Sequence, residues 1–284
     1  MAGTLCNLHC YHCFISCHPK NDSFGFMSRA QVRSHLDESV DVGVKEYYFT
    51  GGEPFLNPEM VSILIDTLEY GPATVLTNGT VLKERWLEQL AAAEEASCYS
   101  LEFRISIDGF CAGQNDPIRG EGTFDRAMEG VAQLNEFGFL PIVTAARSWR
   151  LEEEERVVDA FLDRLRGAGC RRPRLKILPM LRLGAEETRS SPYAASDRVT
   201  RAMLEGYDTS QFICEHSRIV SDRGVHVCPI LLEMPDSLLG AKLGDADKNF
   251  ALKHGACLTC YQHGAICSNP SAGYRAPSSS ESTE

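Results

Sequence analysis

Five short apolar runs alternate with amphipathic helical stretches along the first 180 residues, and this alternation leaves the chain few architectures. The runs fall at residues 46–50, 73–77, 101–107, 140–145 and 174–179, and are rich in the β-branched and aromatic residues that suit buried strands. Between them, residues 58–69, 83–94, 123–137 and 152–167 carry apolar side chains at three- and four-residue spacing, the repeat of one helix face. A further helix is expected ahead of the first strand, ending near Val42, because Ser28 with Gln31 three residues on reads as a capping box. Repeated strand–helix units demand parallel strands joined by right-handed crossovers, so an α/β fold is expected, as a doubly wound sheet or a barrel.

After residue 179 the pattern changes to a loop rich in Arg, Gly and Ser, one helix near residues 196–205, and then a cysteine-rich segment. A core domain over residues 1–207, a small domain over 208–269 and a polar, disordered tail over 270–284 are expected. Residues 212–268 offer two strand candidates, 218–220 and 224–228. They hold too little apolar material for a core of their own, so a metal cluster is expected to supply the missing stability. The formal net charge of -11 would repel a phosphate backbone, which argues against nucleic acid. No run approaches the roughly 18 apolar residues of a membrane span, and the first 13 residues do not read as an export signal, so a cytoplasmic protein is expected.

The twelve cysteines are clustered: four lie in the first 17 residues and five in the last quarter. With no export signal, clustering favours metal ligation over disulfides. Cys6, Cys10 and Cys13 stand in one loop before the first helix. Three thiolates can hold three irons of a four-iron cube and leave the fourth without a protein ligand, the open position that catalysis at a metal requires. Zinc is the alternative, with Cys17, His9 or His12 as fourth ligand.

About 40 residues later, directly after an expected strand, comes Thr50-Gly51-Gly52-Glu53-Pro54. Together, the cysteine loop and this strand end resemble the radical S-adenosylmethionine (SAM) superfamily over roughly residues 5–267. The resemblance implies a partial (β/α)6 TIM-like barrel and a catalytic [4Fe-4S] cluster on Cys6, Cys10 and Cys13. It also implies SAM bound at Gly51, Gly52 and Glu53, the carboxylate of Glu53 meeting the SAM ammonium. Asn78, Ser106 and Asp108, at later strand ends, are expected to face the same pocket. Ser106 takes the ribose or carboxylate role by resemblance, and Asp108 a similar role or only that of a turn residue before Gly109. Arg119 sits where the resemblance offers a group to a carboxylate, or is a solvated loop arginine. His12 occupies a position usually aromatic in the family, beside the adenine, or lies on the surface. The family's first strand precedes the cysteine loop, whereas only five residues stand before Cys6. The sheet is therefore expected to lack an edge, or the chain to begin short of that strand.

The later cysteines resemble the auxiliary-cluster domain called twitch, or a shortened SPASM domain. Cys214, Cys228, Cys257 and Cys260 are the expected ligands of a second [4Fe-4S] cluster, with a tetrahedral zinc site as the alternative and Cys267 left over. The implied reaction passes one electron, from a donor such as flavodoxin or ferredoxin, to SAM. SAM is then cleaved to methionine and a 5′-deoxyadenosyl radical that takes hydrogen from a peptide or small-molecule substrate, with the auxiliary cluster assisting oxidation or bond formation. A protein that merely carries clusters or zinc is the rival reading, but it would not need Gly51, Gly52 and Glu53.

Overall fold

Parallel strands β1 (Tyr47–Phe49), β2 (Ala73–Thr77), β3 (Leu101–Ser106), β4 (Ile142–Ala146) and β5 (Arg174–Leu178) form one sheet in chain order in the computed structural model, which describes Met1 and residues 3–264. An unbroken order excludes the doubly wound alternative, whose strand order reverses at a switch point. The fold is α/β, with the strands of a partial (β/α) barrel.

Helices α1 (Arg29–Val42), α2 (Met60–Thr67), α3 (Glu84–Ala96), α4 (Ala112–Arg119), α5 (Thr123–Glu136) and α6 (Glu154–Gly167) connect or precede the strands. The capping box forms: the Ser28 hydroxyl accepts from Gln31 N–H, and Gln31 Oε1 accepts from Ser28 N–H at 2.8 Å. Helix α1 stops at Gly43, whose φ of 76° suits a residue without a Cβ. Helix α4 was not expected, because Pro117 lies inside it and a proline removes a helix donor.

Strand register explains the two faces of the sheet. Val75 pairs with Phe103, and Ile105 with Val143. These four are essentially unexposed and pack with Leu64, Leu87, Val131 and Leu134 of the helices. Burying each such side chain contributes about 1.5–3 kcal/mol. The alternate register positions place Thr74, Glu102, Arg104, Ser106, Thr144 and Lys176 on the opposite face. A polar inner face is what a site inside a barrel needs.

Among the described residues the sheet has the five strands read from the sequence, without the edge strand that would complete the six of the family barrel. Beside the end of β1 lies the irregular segment leading into Cys6. Gly52 N–H donates to Gly3 O at 2.8 Å, and Glu53 N–H to Leu5 O at 3.0 Å. Leu5 also forms a bridge with His18. The segment turns at Gly3, with φ 85°, so it lines the edge of the sheet without becoming a strand.

Short helices α7 (Ala185–Arg189), α8 (Arg201–Leu204) and α9 (Ile213–His216) lead to a second sheet of antiparallel strands β6 (Ile219–Ser221), β7 (Gly224–His226) and β8 (Leu238–Gly240), followed by α10 (Gly255–His263). Strands β6 and β7 match the two expected candidates. Strand β8 had no sequence signal, being three residues long with a glycine at its end. Its pairing demands close approach: a Cβ on Gly224 would lie 2.4 Å from Gly240 O.

This region has an apolar cluster of its own, contrary to expectation. Phe212, Ile213, Val227, Ile230 and Leu231 pack with Cys228, Cys257 and Cys260, and the cluster draws in Leu181, Leu183 and Tyr193 from before residue 207. The packing therefore changes nearer residue 180 than 207. No described helix is long and apolar enough to cross a membrane. Cys267 and the tail 270–284 lie outside the described residues.

Candidate functional site

The cysteine loop is held from several sides. Gly52 presses its bare backbone on the segment entering the loop: a Cβ there would lie 2.1 Å from Leu5 O. The loop's own backbone thus requires a glycine at this position of the expected SAM-binding strand end. On the other side, a Cβ on Gly184 would lie 2.6 Å from Cys13 O, while Ala185 N–H donates to that carbonyl at 2.9 Å. The sequence reading missed Gly184, whose only signal was a glycine in the loop after β5. Gly52→Ala is expected to displace residues 3–6, destabilising the protein by about 1–3 kcal/mol and lowering iron uptake at the loop. Denaturation and iron assays that match wild type would show that the loop tolerates the methyl group.

Cys6 and Cys10 are buried and Cys13 is half-buried. Each sulfur meets an N–H donor: Leu8 N–H lies 3.4 Å from Cys6 Sγ, Cys17 N–H 3.3 Å from Cys13 Sγ, and Arg119 Nη1 3.9 Å from Cys10 Sγ. Asn78 Nδ2 adds a contact of 3.9 Å to Cys6 Sγ and donates to Asn7 Oδ1 at 2.8 Å, tying the end of β2 to the loop. Burial pushes the Cys6 thiol up to about 12, against the pull of Leu8 N–H. Two buried thiolates and a half-buried third would need compensating positive charge, and an iron cluster would supply it. Among the described residues no three His, Cys, Asp or Glu side chains gather around a point that suits a single ion. Three thiol donors on one loop, with an N–H donor at each sulfur, are the donor set that a four-iron cube with one open iron takes.

Glu53 closes the strand ends. Its Oε1 accepts from Thr77 Oγ1 at 2.7 Å and Phe55 N–H at 3.1 Å, and its Oε2 accepts from Asn78 N–H at 2.8 Å. It is unexposed and, among the described residues, has no ion-pair partner. Burial raises its carboxyl to about 7, although these three donors pull it down. A carboxylate offers about four lone-pair sites, so one on Oε2 remains. A buried acid lacking a cation fits an ammonium ligand.

Asp108 was expected to face the pocket, and it is 1% exposed with protein donors on both oxygens. Oδ1 accepts from Ala146 N–H at 2.7 Å, while Oδ2 lies 2.7 Å from His12 Nε2 and 2.6 Å from Arg119 Nε. Burial alone would raise its pKa, but Arg119 and His12 hold it well below the usual carboxylate range. His12 and Arg119 are thus neither surface groups nor solvated: both are tied through one carboxylate behind Cys10 and Cys13. Ser106 sits half-buried at the end of β3, and Gly51 adopts a φ of 153°.

The later cysteines converge. Cys214, Cys228, Cys257 and Cys260 line one small cavity, walled otherwise by apolar groups such as Val227, Ile230 and Phe250. Burial, with lesser contributions from neighbouring Cys214 and Cys260, pushes the Cys257 thiol up to about 12. Four thiols around an apolar cavity suit a metal cluster by the same argument as the first loop.

The Radical SAM superfamily model matches residues 2–149. The chain is 34% identical over 136 residues to the mycofactocin maturase MftC of Mycobacterium tuberculosis, covering 47% of this chain and 33% of that protein. It is 30% identical over 135 residues to the AdoMet-dependent heme synthase of Nitratidesulfovibrio vulgaris, covering 47% and 35%. The chain thus spans about a third of the length of these relatives. Native anSMEcpe with bound AdoMet and Cp18Cys peptide shares the fold, with a TM-score of 0.60 at 15% identity over 87% of this chain and 78% of that one.

Proposed function

This chain belongs to the radical SAM superfamily, and we propose that it is an enzyme cleaving SAM reductively at a [4Fe-4S] cluster held by Cys6, Cys10 and Cys13. The observation that carries this reading is the joining of the three-cysteine loop to the Gly51-Gly52-Glu53 strand end through Gly52 and Glu53 backbone bonds. When bound, the cluster and SAM together supply one electron and a hydrogen-abstracting group. The chain's own residues hold the loop, exclude water and orient the ligand. Glu53 receives the SAM ammonium on its remaining Oε2 site, and Gly51 and Gly52 shape the adjoining backbone. Ser106 and Asn78 bound the pocket at the ends of β3 and β2, and His12 closes it beside Cys13. Asp108 and Arg119 support the loop from behind. Reduction of anaerobic, iron-loaded protein should yield 5′-deoxyadenosine, and zinc as the sole metal would sink the assignment.

A peptide is the substrate class that the comparisons favour, since one relative is a maturase and the structural neighbour holds a peptide with AdoMet. A small molecule is the second reading, favoured by the heme synthase. Cys214, Cys228, Cys257 and Cys260 would hold an auxiliary [4Fe-4S] cluster, which would supply an electron acceptor or a ligation site for the substrate. A flavodoxin- or ferredoxin-class donor reduces the first cluster. The reading is of a cytoplasmic enzyme with a core domain and a small cysteine-rich domain.

Glu53→Gln should weaken SAM binding by about 1.5–3 kcal/mol, through loss of a charge-assisted pair, or roughly 10- to 150-fold. Iron content should not change. The pH dependence has a definite sign. Folded Glu53 keeps its proton up to about 7, against 4.5 when unfolded, so its contribution to stability falls between those values as pH rises and is level above. SAM needs the ionised form, so its affinity should climb through about pH 7 in wild type and lose that climb in Glu53→Gln. A wild-type dissociation constant that stays level between pH 6 and pH 7.5 would remove Glu53 from the ammonium site.

A further inference from the structure

Of the donors that reach the three loop sulfurs, one carries charge. Cys6 meets the Leu8 N–H and the Asn78 amide, and Cys13 meets the Cys17 N–H, all neutral. Cys10 meets Arg119. We propose that Arg119, locked in place by Asp108, sets the reduction potential of the loop's iron–sulfur cluster through the Cys10 sulfur. The proposal rests on the reading that Cys6, Cys10 and Cys13 hold that cluster.

The geometry gives Arg119 little freedom. It is the last residue of α4, and its Nε lies 2.6 Å from Asp108 Oδ2 while Nη1 points to Cys10 Sγ at 3.9 Å. Asp108 is fixed in turn by Ala146 N–H and His12, and its own N–H donates to Asn115 Oδ1 at 3.0 Å. Tyr11 N–H donates to Ile118 O at 3.1 Å, so the end of α4 is bound to the cysteine loop by backbone as well. The Arg119 side chain is 12% exposed, where water screens a charge weakly.

A reduced cluster carries one more negative charge than the oxidised one, and hydrogen bonds to its sulfurs favour the reduced state. A cation aimed at one ligand sulfur adds to that preference. Asp108 offsets part of the cation's charge but holds the donor on the sulfur, and so acts as a positioning residue. One electron arrives from the external donor, and no bond is made or broken in this step. The consequence for function is a cluster that a flavodoxin- or ferredoxin-class donor reduces more readily than it would with neutral donors alone.

Two measurements on the full, iron-loaded chain test this. In the first, wild type carrying 15N-arginine is reduced and studied by pulsed electron paramagnetic resonance. Using as a blank the variant with Cys6, Cys10 and Cys13 replaced by Ala, the loop cluster should show a 15N coupling. In the second, Arg119→Gln and wild type are titrated potentiometrically. At one applied potential the reduced-to-oxidised ratio of the loop cluster should fall at least about tenfold in the variant, equal to about 59 mV for a one-electron couple. Absence of the 15N coupling, or a ratio within about twofold of wild type at equal iron content, overturns the proposal. If Arg119→Gln does not retain the cluster, the 15N measurement decides. Wild type holding no more iron than the three-cysteine variant would instead overturn the reading of the loop as a cluster site.

Discussion

Anaerobic protein in which Cys6, Cys10 and Cys13 are all replaced by alanine should form no detectable 5′-deoxyadenosine on reduction with SAM, while wild type forms it. The effect is large because, on the proposed reading, the three sulfurs would be the cluster's whole protein attachment, and without it no electron would reach SAM. Iron should fall by about four per chain, the content of one cube. The fold should survive: Cys6 and Cys10 belong to a small apolar cluster with Leu8, Ile15 and Phe24, separate from the core between sheet and helices. Truncating three small side chains at that margin costs far less than a core cavity would. The variant's circular dichroism should therefore match wild type, so that lost activity is assigned to the site and not to unfolding. Product formation by the triple variant would refute the ligand assignment outright.

The barrel was legible because its strands and helices are long enough for hydrophobic period to separate them. Thr74–Thr77 of β2, with a core side chain at Val75, and the spaced leucines Leu87 and Leu90 of α3 carry opposite periodicities. Capping by Ser28 and Gln31 was legible because it is local chemistry. What stayed hidden depends on contacts distant in sequence. Nothing near Asp108 announces that His12 and Arg119 will meet on its Oδ2, since no periodicity encodes a meeting of residues 96 positions apart. Gly52 was recognised at the strand end, but its close approach to Leu5 O was not legible, because a glycine tells that something comes close without telling what. Glu53 was read as a ligand-binding carboxylate, and the structure adds that Thr77, Phe55 and Asn78 orient it first. In the cysteine-rich region the error was one of counting. The apolar content of residues 212–268 was judged alone, whereas Leu181, Leu183 and Tyr193 complete its cluster from outside.

That borrowed packing shapes the second large effect, the response to Cys257→Ala with Cys260→Ala. Both residues lie on α10, three apart, with Ala256 packed beside them in the second apolar cluster. They share one cavity with Cys214 and Cys228, and on the proposed reading these four would close one cube and leave no iron open. Such a cluster transfers electrons or braces structure. Wild type should hold about eight irons per chain, from two four-iron cubes, and the double variant about four. Losing the proposed metal would remove the ligand bonds that join α9, the segment after β7 and α10. The apolar cluster that remains includes the cysteines themselves, and β6, β7 and β8 are only three residues each, at the short end of strand length. Local unfolding should therefore run from about Leu181 through α10, because the residues before 207 share that cluster, while the five-stranded barrel keeps its fold. Limited proteolysis reads this directly: first cuts should fall between residues 181 and 264 in the double variant and leave a resistant core fragment. SAM cleavage should persist, since the loop of Cys6, Cys10 and Cys13 is intact, but substrate turnover should collapse. About four irons plus one zinc in wild type would instead assign the second site to zinc.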